Sequence, residues 1–191
     1  AEYHKEYYKC NKKLFLLKVF RGNGINNQAW KLSKSLIKIS KTFKFYDIMF
    51  QSAETLRYYC SLKGSETEYD FYNKLFNHAY KTYEAENYSD ELYRILTIKY
   101  AKSVSMKPEL IPVAEDYTKQ LKMLAMKFDS YILHYNMYRV WFVSEQIKGN
   151  YRKTVEVCEK AEKYLFDNPP FCQVLKLAEF ALNKMYCYML L

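Results

Sequence analysis

The chain has 191 residues, room for one or two domains or a short array of repeats. Half of the residues are hydrophobic, so a core can be buried. Glycine and proline number only 4 each, far below the usual shares of about 7% and 5%, which argues against a turn-rich sheet fold. The formal charge of +9 is placed unevenly: residues 1–64 hold 13 Lys or Arg and 4 Asp or Glu, whereas residues 65–191 hold 17 of each.

Helical periodicity runs through the whole chain. The first predicted helix covers about residues 2–20, with a loose apolar stripe at Tyr7, Leu14, Leu17 and Phe20, and stops at Arg21-Gly22-Asn23-Gly24. The second begins near Asn26 or Asn27, either of which is a candidate cap, and runs to about Thr42. Its apolar positions Leu32, Leu36, Ile39 and Phe43 step by four, three and four. Beside them Lys31, Lys34, Lys38 and Lys41 form a basic ridge. The third covers about residues 45–63 and ends at Gly64; no strong breaker separates it from the second, so the two read equally as one long helix.

Ser65 and Glu68 have the spacing of a capping box and open a fourth helix to about Glu86. Asn87-Tyr88-Ser89-Asp90 reads as a turn into a fifth helix ending near Val104, with Ser105-Met106-Lys107-Pro108 as the break. A sixth helix, taken to start near Leu110 so that Pro112 falls in its first turn, ends around Lys127. Asp129 or Ser130 caps a seventh, which carries Tyr131, Tyr135, Tyr138, Trp141 or Phe142, and Glu145 at three- and four-residue steps. Gly149-Asn150-Tyr151 turns the chain into an eighth helix reaching Phe166, with Val155, Cys158, Ala161 and Leu165 on one face. Asp167-Asn168-Pro169-Pro170 is the clearest break, and a ninth helix fills residues 171–191. The Asn-Tyr turns fall three helices apart, which does not match a two-helix period.

The hairpin over residues 131–166 resembles a tetratricopeptide repeat. Gly149 and Tyr151 at the turn, the small Ala161, and Asn168-Pro169 after the second helix carry the resemblance; bulky Phe142 and Thr154 depart from it. The fold class expected is all-α, antiparallel hairpins stacked as a tetratricopeptide-like array of eight or nine helices over residues 1–191. The resemblance implies a peptide- or protein-binding groove lined by Asn136, Arg139, Val143 and Gln146.

Catalytic signatures are sparse. His4, His78 and His134 are isolated, and Gly22-Asn23-Gly24 lacks the later glycine and the lysine of a phosphate loop. The expectation is a non-enzymatic protein-binding module with no cofactor and no metal. An enzyme whose groups converge only in three dimensions is the weakest alternative. The second reading is binding of nucleic acid or an anionic surface through the basic helices of residues 1–64, with the lysine ridge as its footprint; the plainer reading of the ridge is a solvated outer face whose lysines serve solubility. Tyr58-Tyr59, Tyr69, Phe71-Tyr72, Tyr80 and Tyr83 fit either stacking platforms or, more simply, seams between helices. Cys10, Cys60, Cys158, Cys172 and Cys187 are odd in number and never in a C-x-x-C, which points to a reducing cytoplasm and buried small hydrophobes. No run of 18 apolar residues is present. The apolar end over residues 185–191 is expected to dock on a neighbour, to pair with a second copy, or to continue into a longer chain.

Overall fold

Lys44 has φ 56° and ψ 43°, a left-handed conformation that ends the second helix without a glycine. What holds the chain there is the next side chain. Phe45 is buried and meets Tyr3 and Tyr7 edge-on at 4.9 and 5.0 Å and stacks on Phe43 at 5.4 Å. The second and third helices are therefore separate, a break made by tertiary packing rather than by a sequence breaker.

The computed structural model describes residues 2–102 and 107–191. The helices are α1 (Glu2–Gly22), α2 (Asn26–Phe43), α3 (Tyr46–Leu62), α4 (Glu66–Lys102), α5 (Lys107–Lys127), α6 (Tyr131–Ile147), α7 (Tyr151–Asp167) and α8 (Val174–Leu190). Among the described residues there is no strand, so the fold is all-α, with neighbouring helices packed on one another. No helix among them is long and apolar enough to cross a membrane.

Among the described residues there are eight helices, within the eight or nine expected; the fourth and fifth helices taken in chain order are one, because α4 runs unbroken for 37 residues. The expected turn at Asn87-Tyr88-Ser89-Asp90 is helical throughout. The reason lies one residue upstream. Asn150 follows Gly149, which takes φ 73° and closes α6, whereas Asn87 follows Glu86, and only glycine takes that conformation at no steric cost. Ser89 donates to the Glu86 carbonyl at 2.6 Å and stays within the helix. The echo of Asn-Tyr at two places is accidental, and with it goes the mismatch of period. The expected end of a helix near Val104, and Ser105 and Met106 beyond it, lie outside the described residues. Two smaller expectations also shift. Ile25 rather than Asn26 or Asn27 occupies the cap position of α2, with no side-chain bond, and Pro112 lies inside α5, which begins at Lys107.

The chain divides into two compact units, one ending at Glu84 and the other spanning Ala85–Leu191, with the division inside α4. In the first, α1 packs on α2 and α3, and α2 on α3. Ile37, Ala53, Leu56, Cys60 and Tyr72 form one core cluster with Trp30, Tyr69, Leu75 and Phe76 at the margin, and Tyr46, Met49 and Ala79 form another. Trp30 meets Tyr59 and Tyr72 edge-on, and Phe50 meets Phe76, Tyr80 and Tyr83. Most of the tyrosine interleaving is thus seam packing between helices. Tyr7 ties α1 to α3, donating from its hydroxyl to Asp47 at 2.6 Å.

In the second unit α6 is the central rod. It packs on α5 and α7 and reaches α4 and α8 through its side chains. Ser130 caps it, accepting from the Leu133 amide, and Asn150 caps α7 through the Lys153 amide. Tyr131 stacks on Phe171 at 5.4 Å, and Phe142, the bulky departure from the repeat pattern, fills its place by meeting Phe180 edge-on at 5.8 Å.

Candidate interaction surfaces

The spacing of Asn136, Arg139, Val143 and Gln146 does put them on one side of α6, but that side is closed. Asn136 is 3% exposed and Val143 is buried. Arg139 Nε donates to Glu179 Oε1 at 2.8 Å, and Gln146 Nε2 donates to Asn183 Oδ1 at 3.0 Å, both acceptors on α8. Toward α4, Asn136 donates to the Ser89 hydroxyl at 2.9 Å and the Arg139 guanidinium lies 3.5 Å from the Tyr93 ring. The four residues are therefore a seam between helices of the same chain and not an open groove. Polar side chains at helical spacing look alike in sequence whether they meet water or a matching polar row. The matching row was written in α8, where Glu179, Asn183 and Cys187 recur every four residues.

Burial works against the charge of Arg139, and the Glu179 carboxylate more than offsets it, so the guanidinium is held protonated. Tyr135 donates to the other oxygen of Glu179. One carboxylate thus collects two donors from α6.

A second polar seam lies between α4 and α6. Ser130 donates to the buried Glu86 carboxylate at 2.5 Å while accepting from the Leu133 amide. His134 stacks on Tyr164 at 4.9 Å, with Nδ1 2.7 Å from the Ser130 carbonyl, so it is a packed histidine.

Between α5 and α6 a cleft of about 370 Å³ is lined by residues that include Glu115, Lys122, Met123, Trp141, Glu145 and Lys148. Its charges are largely spent on one another. Lys148 reaches Glu145 at 2.9 Å and Glu115 at 3.4 Å, and Lys122 Nζ sits 3.3 Å from the centre of the Trp141 ring. Burial lowers the Lys122 amine below its ordinary range. Among the described residues no three His, Cys, Asp or Glu side chains converge as a metal site would need. All five cysteines are unpaired and four are buried.

The basic ridge is where its spacing puts it. Lys31, Lys34, Lys38 and Lys41 are all exposed, and the opposite side of α2 buries Ala29, Ser33, Leu36, Ile37 and Ser40. Leu32, Ile39 and Phe43 are only half-buried, so the core side of α2 is rotated slightly from the expected apolar ridge. Lys34 and Lys63 place Nζ 4.7 and 4.4 Å from the Trp30 ring centre.

Comparison with protein-family models, curated proteins and solved structures gives no match.

The remaining surface is α8. It carries only three charged residues, Lys176, Glu179 and Lys184, and all turn toward the rest of the unit. Glu179 meets Arg139, Lys184 donates to Glu162 on α7 at 2.6 Å, and Lys176 lies over the Phe171 ring. The outward side is uncharged. Leu175, Leu182, Met185 and Met189 stand exposed on it, Leu175 by 83% and Met189 by 77%. Sequence periodicity marks α8 as apolar but does not say which side is covered, because Phe180 and Cys187 supply a buried stripe of their own.

Proposed function

We propose that this chain is a non-enzymatic, protein-binding helical module, tetratricopeptide-like in its hairpins, which grips a partner with the outer face of α8. The carrying observation is the uncharged outer side of that helix: beyond the buried Phe180 and Cys187, its three charges lie toward the protein while Leu175, Leu182, Met185 and Met189 face out. A helix at the surface of a protein that stands alone normally carries charged and polar residues on its outer face. Contiguous apolar patches of a few hundred Å² on a soluble surface usually mark interaction sites. The packing of α8 on α7, with its side chains also on α6, supports the repeat reading, since a third helix follows a hairpin in this way in stacked arrays.

Leu175, Ala178, Leu182, Met185 and Met189 step by three, four, three and four, the ridge that an apolar helix of another protein packs against. Each leucine or methionine buried there contributes roughly 1.5–3 kcal/mol before the cost of association. A second copy of α8 meets the same requirement without like-charge repulsion, so self-association belongs to the same reading. Five unpaired cysteines fit a module that works in a reducing cytoplasm.

The test is the double change Leu182→Glu and Met185→Glu, with thermal melting as the control for folding. Light scattering after size exclusion reads self-association, and affinity capture with quantitative comparison reads other partners. A wild-type dimer that the double variant abolishes identifies the second copy as partner. A wild-type monomer whose captured proteins are the same as the variant's ends the proposal.

A further inference from the structure

We propose that α1 is an interfacial helix that docks the first unit on an anionic lipid surface. This inference rests on α1 and α2 alone and is independent of the α8 reading.

Tyr3, Cys10, Leu14 and Leu17 turn inward and build the core side of α1. On the opposite side stand Tyr8, Phe15, Leu16 and Val19, with Phe15 exposed by 71% and Tyr8 by 62%. Lys12 completes that stripe; positions 8, 12, 15, 16 and 19 share one face of a helix. Its Nζ lies over the Tyr8 ring, 4.5 Å from the centre, so the ammonium sits against the aromatic part of the stripe. Lys5, Lys9, Lys18 and Arg21 are exposed around the stripe. Apolar and aromatic side chains ringed by lysines are what a helix lying in the headgroup plane presents.

The charge of the surrounding surface points the same way. Residues 7–46 hold ten Lys or Arg and no Asp or Glu. The carboxylates beside α1 are constrained: Glu6 is paired with Lys9 at 2.5 Å, Asp47 receives the Tyr7 hydroxyl, and Glu54, which lines a cleft with Lys18 and Arg21, is paired with Arg57. Glu2, at the start of α1, is the exposed exception. α2, packed on α1, adds Lys31, Lys34, Lys38 and Lys41, all exposed. Basic residues near an anionic leaflet add attraction one by one without needing fixed geometry, and lysine, a compact ammonium on a flexible stem, suits that role better than it suits a bidentate fork. A nucleic acid would use the same cations and could stack on Tyr8 or Phe15. It has no use for exposed Leu16 and Val19 on the same face, which an acyl-chain boundary does.

The experiment is flotation of the intact chain with vesicles of phosphatidylcholine alone, or of phosphatidylcholine and phosphatidylserine at three to one, in low and high salt. The expected result is binding to the anionic vesicles only, weakened by salt. Phe15→Ser with Leu16→Ser should weaken that binding by about tenfold or more through lost apolar insertion, with the melting temperature kept because both residues face water. Lys9→Gln, Lys12→Gln and Lys18→Gln together should lower the salt dependence without abolishing it, because Lys31, Lys34, Lys38 and Lys41 remain. Leu182→Glu with Met185→Glu should bind vesicles like the wild type, which separates this surface from α8. The proposal is overturned by equal binding to neutral vesicles, by no binding to anionic ones, or by binding indifferent to Phe15→Ser and Leu16→Ser. Binding of a single-stranded or duplex oligonucleotide without vesicle binding would also overturn it and give the surface to nucleic acid.

Discussion

Arg139 on α6 and Glu179 on α8 face each other at 2.8 Å, and each is only about one-fifth exposed. The pair pins α8 to the central helix, with Tyr135 as a second donor to the same carboxylate. Arg139→Ala leaves Glu179 without its charge partner in a half-desolvated place. The expected loss is about 2 kcal/mol, below the range for a fully buried pair because water screens this one. A urea titration followed by far-ultraviolet circular dichroism measures it. Glu179→Gln should cost less, since Gln still accepts from Tyr135. An Arg139→Ala variant with unchanged stability would mean that α8 is held by apolar contacts alone.

Ser130 does two jobs with one hydroxyl. It caps α6 through the Leu133 amide and donates a hydrogen bond to buried Glu86. Ser130→Ala removes both and leaves a buried carboxylate short of a donor. A loss of roughly 2–3 kcal/mol is expected, more than a cap alone supplies. Combining it with Glu86→Gln tests the coupling: the double variant should be less destabilised than the sum of the two single changes.

Two left-handed positions make opposite predictions. Lys44 holds φ 56° with a side chain, and Gly149 holds φ 73° with no atom within 4 Å of where a Cβ would be. Strain and not crowding decides both. Lys44→Gly should raise stability by about 0.5–1 kcal/mol, the left-handed penalty relieved less the freedom glycine adds to the unfolded chain. Gly149→Ala should lower it by a similar amount. Equal and opposite midpoint shifts in denaturant would bear this out.

Lys176 gives the pH dependence. Burial pushes its amine down to about 7 from an ordinary 10.5, with the negative charge of an ionised Cys172 opposing the shift. Below about pH 7 both folded and unfolded chains hold the proton, so this group adds no slope. Between about pH 7 and the ordinary value the unfolded chain holds a proton that the folded one has released. Folding therefore gains stability from Lys176 as pH rises through that window. Denaturation midpoints of wild type and Lys176→Met, compared near pH 6 and near pH 9, isolate it: the rise belongs to the wild type and should be absent in the variant.

The all-α fold, the α6–α7 hairpin with its glycine and asparagine turn, the histidine in a packed seam, and the outward lysines of α2 were legible in the sequence. All follow from local rules: helical period, caps, and the conformations that glycine alone takes cheaply. The break at Lys44 and the closing of the Arg139 face by Glu179 and Asn183 were decided by tertiary structure. Each depends on residues far apart in the chain, Phe45 with Tyr3 and Arg139 with Glu179. A period shows that a helix has two sides; only its neighbours in space determine which side meets water, and on α1 and α8 the side left facing water carries apolar side chains.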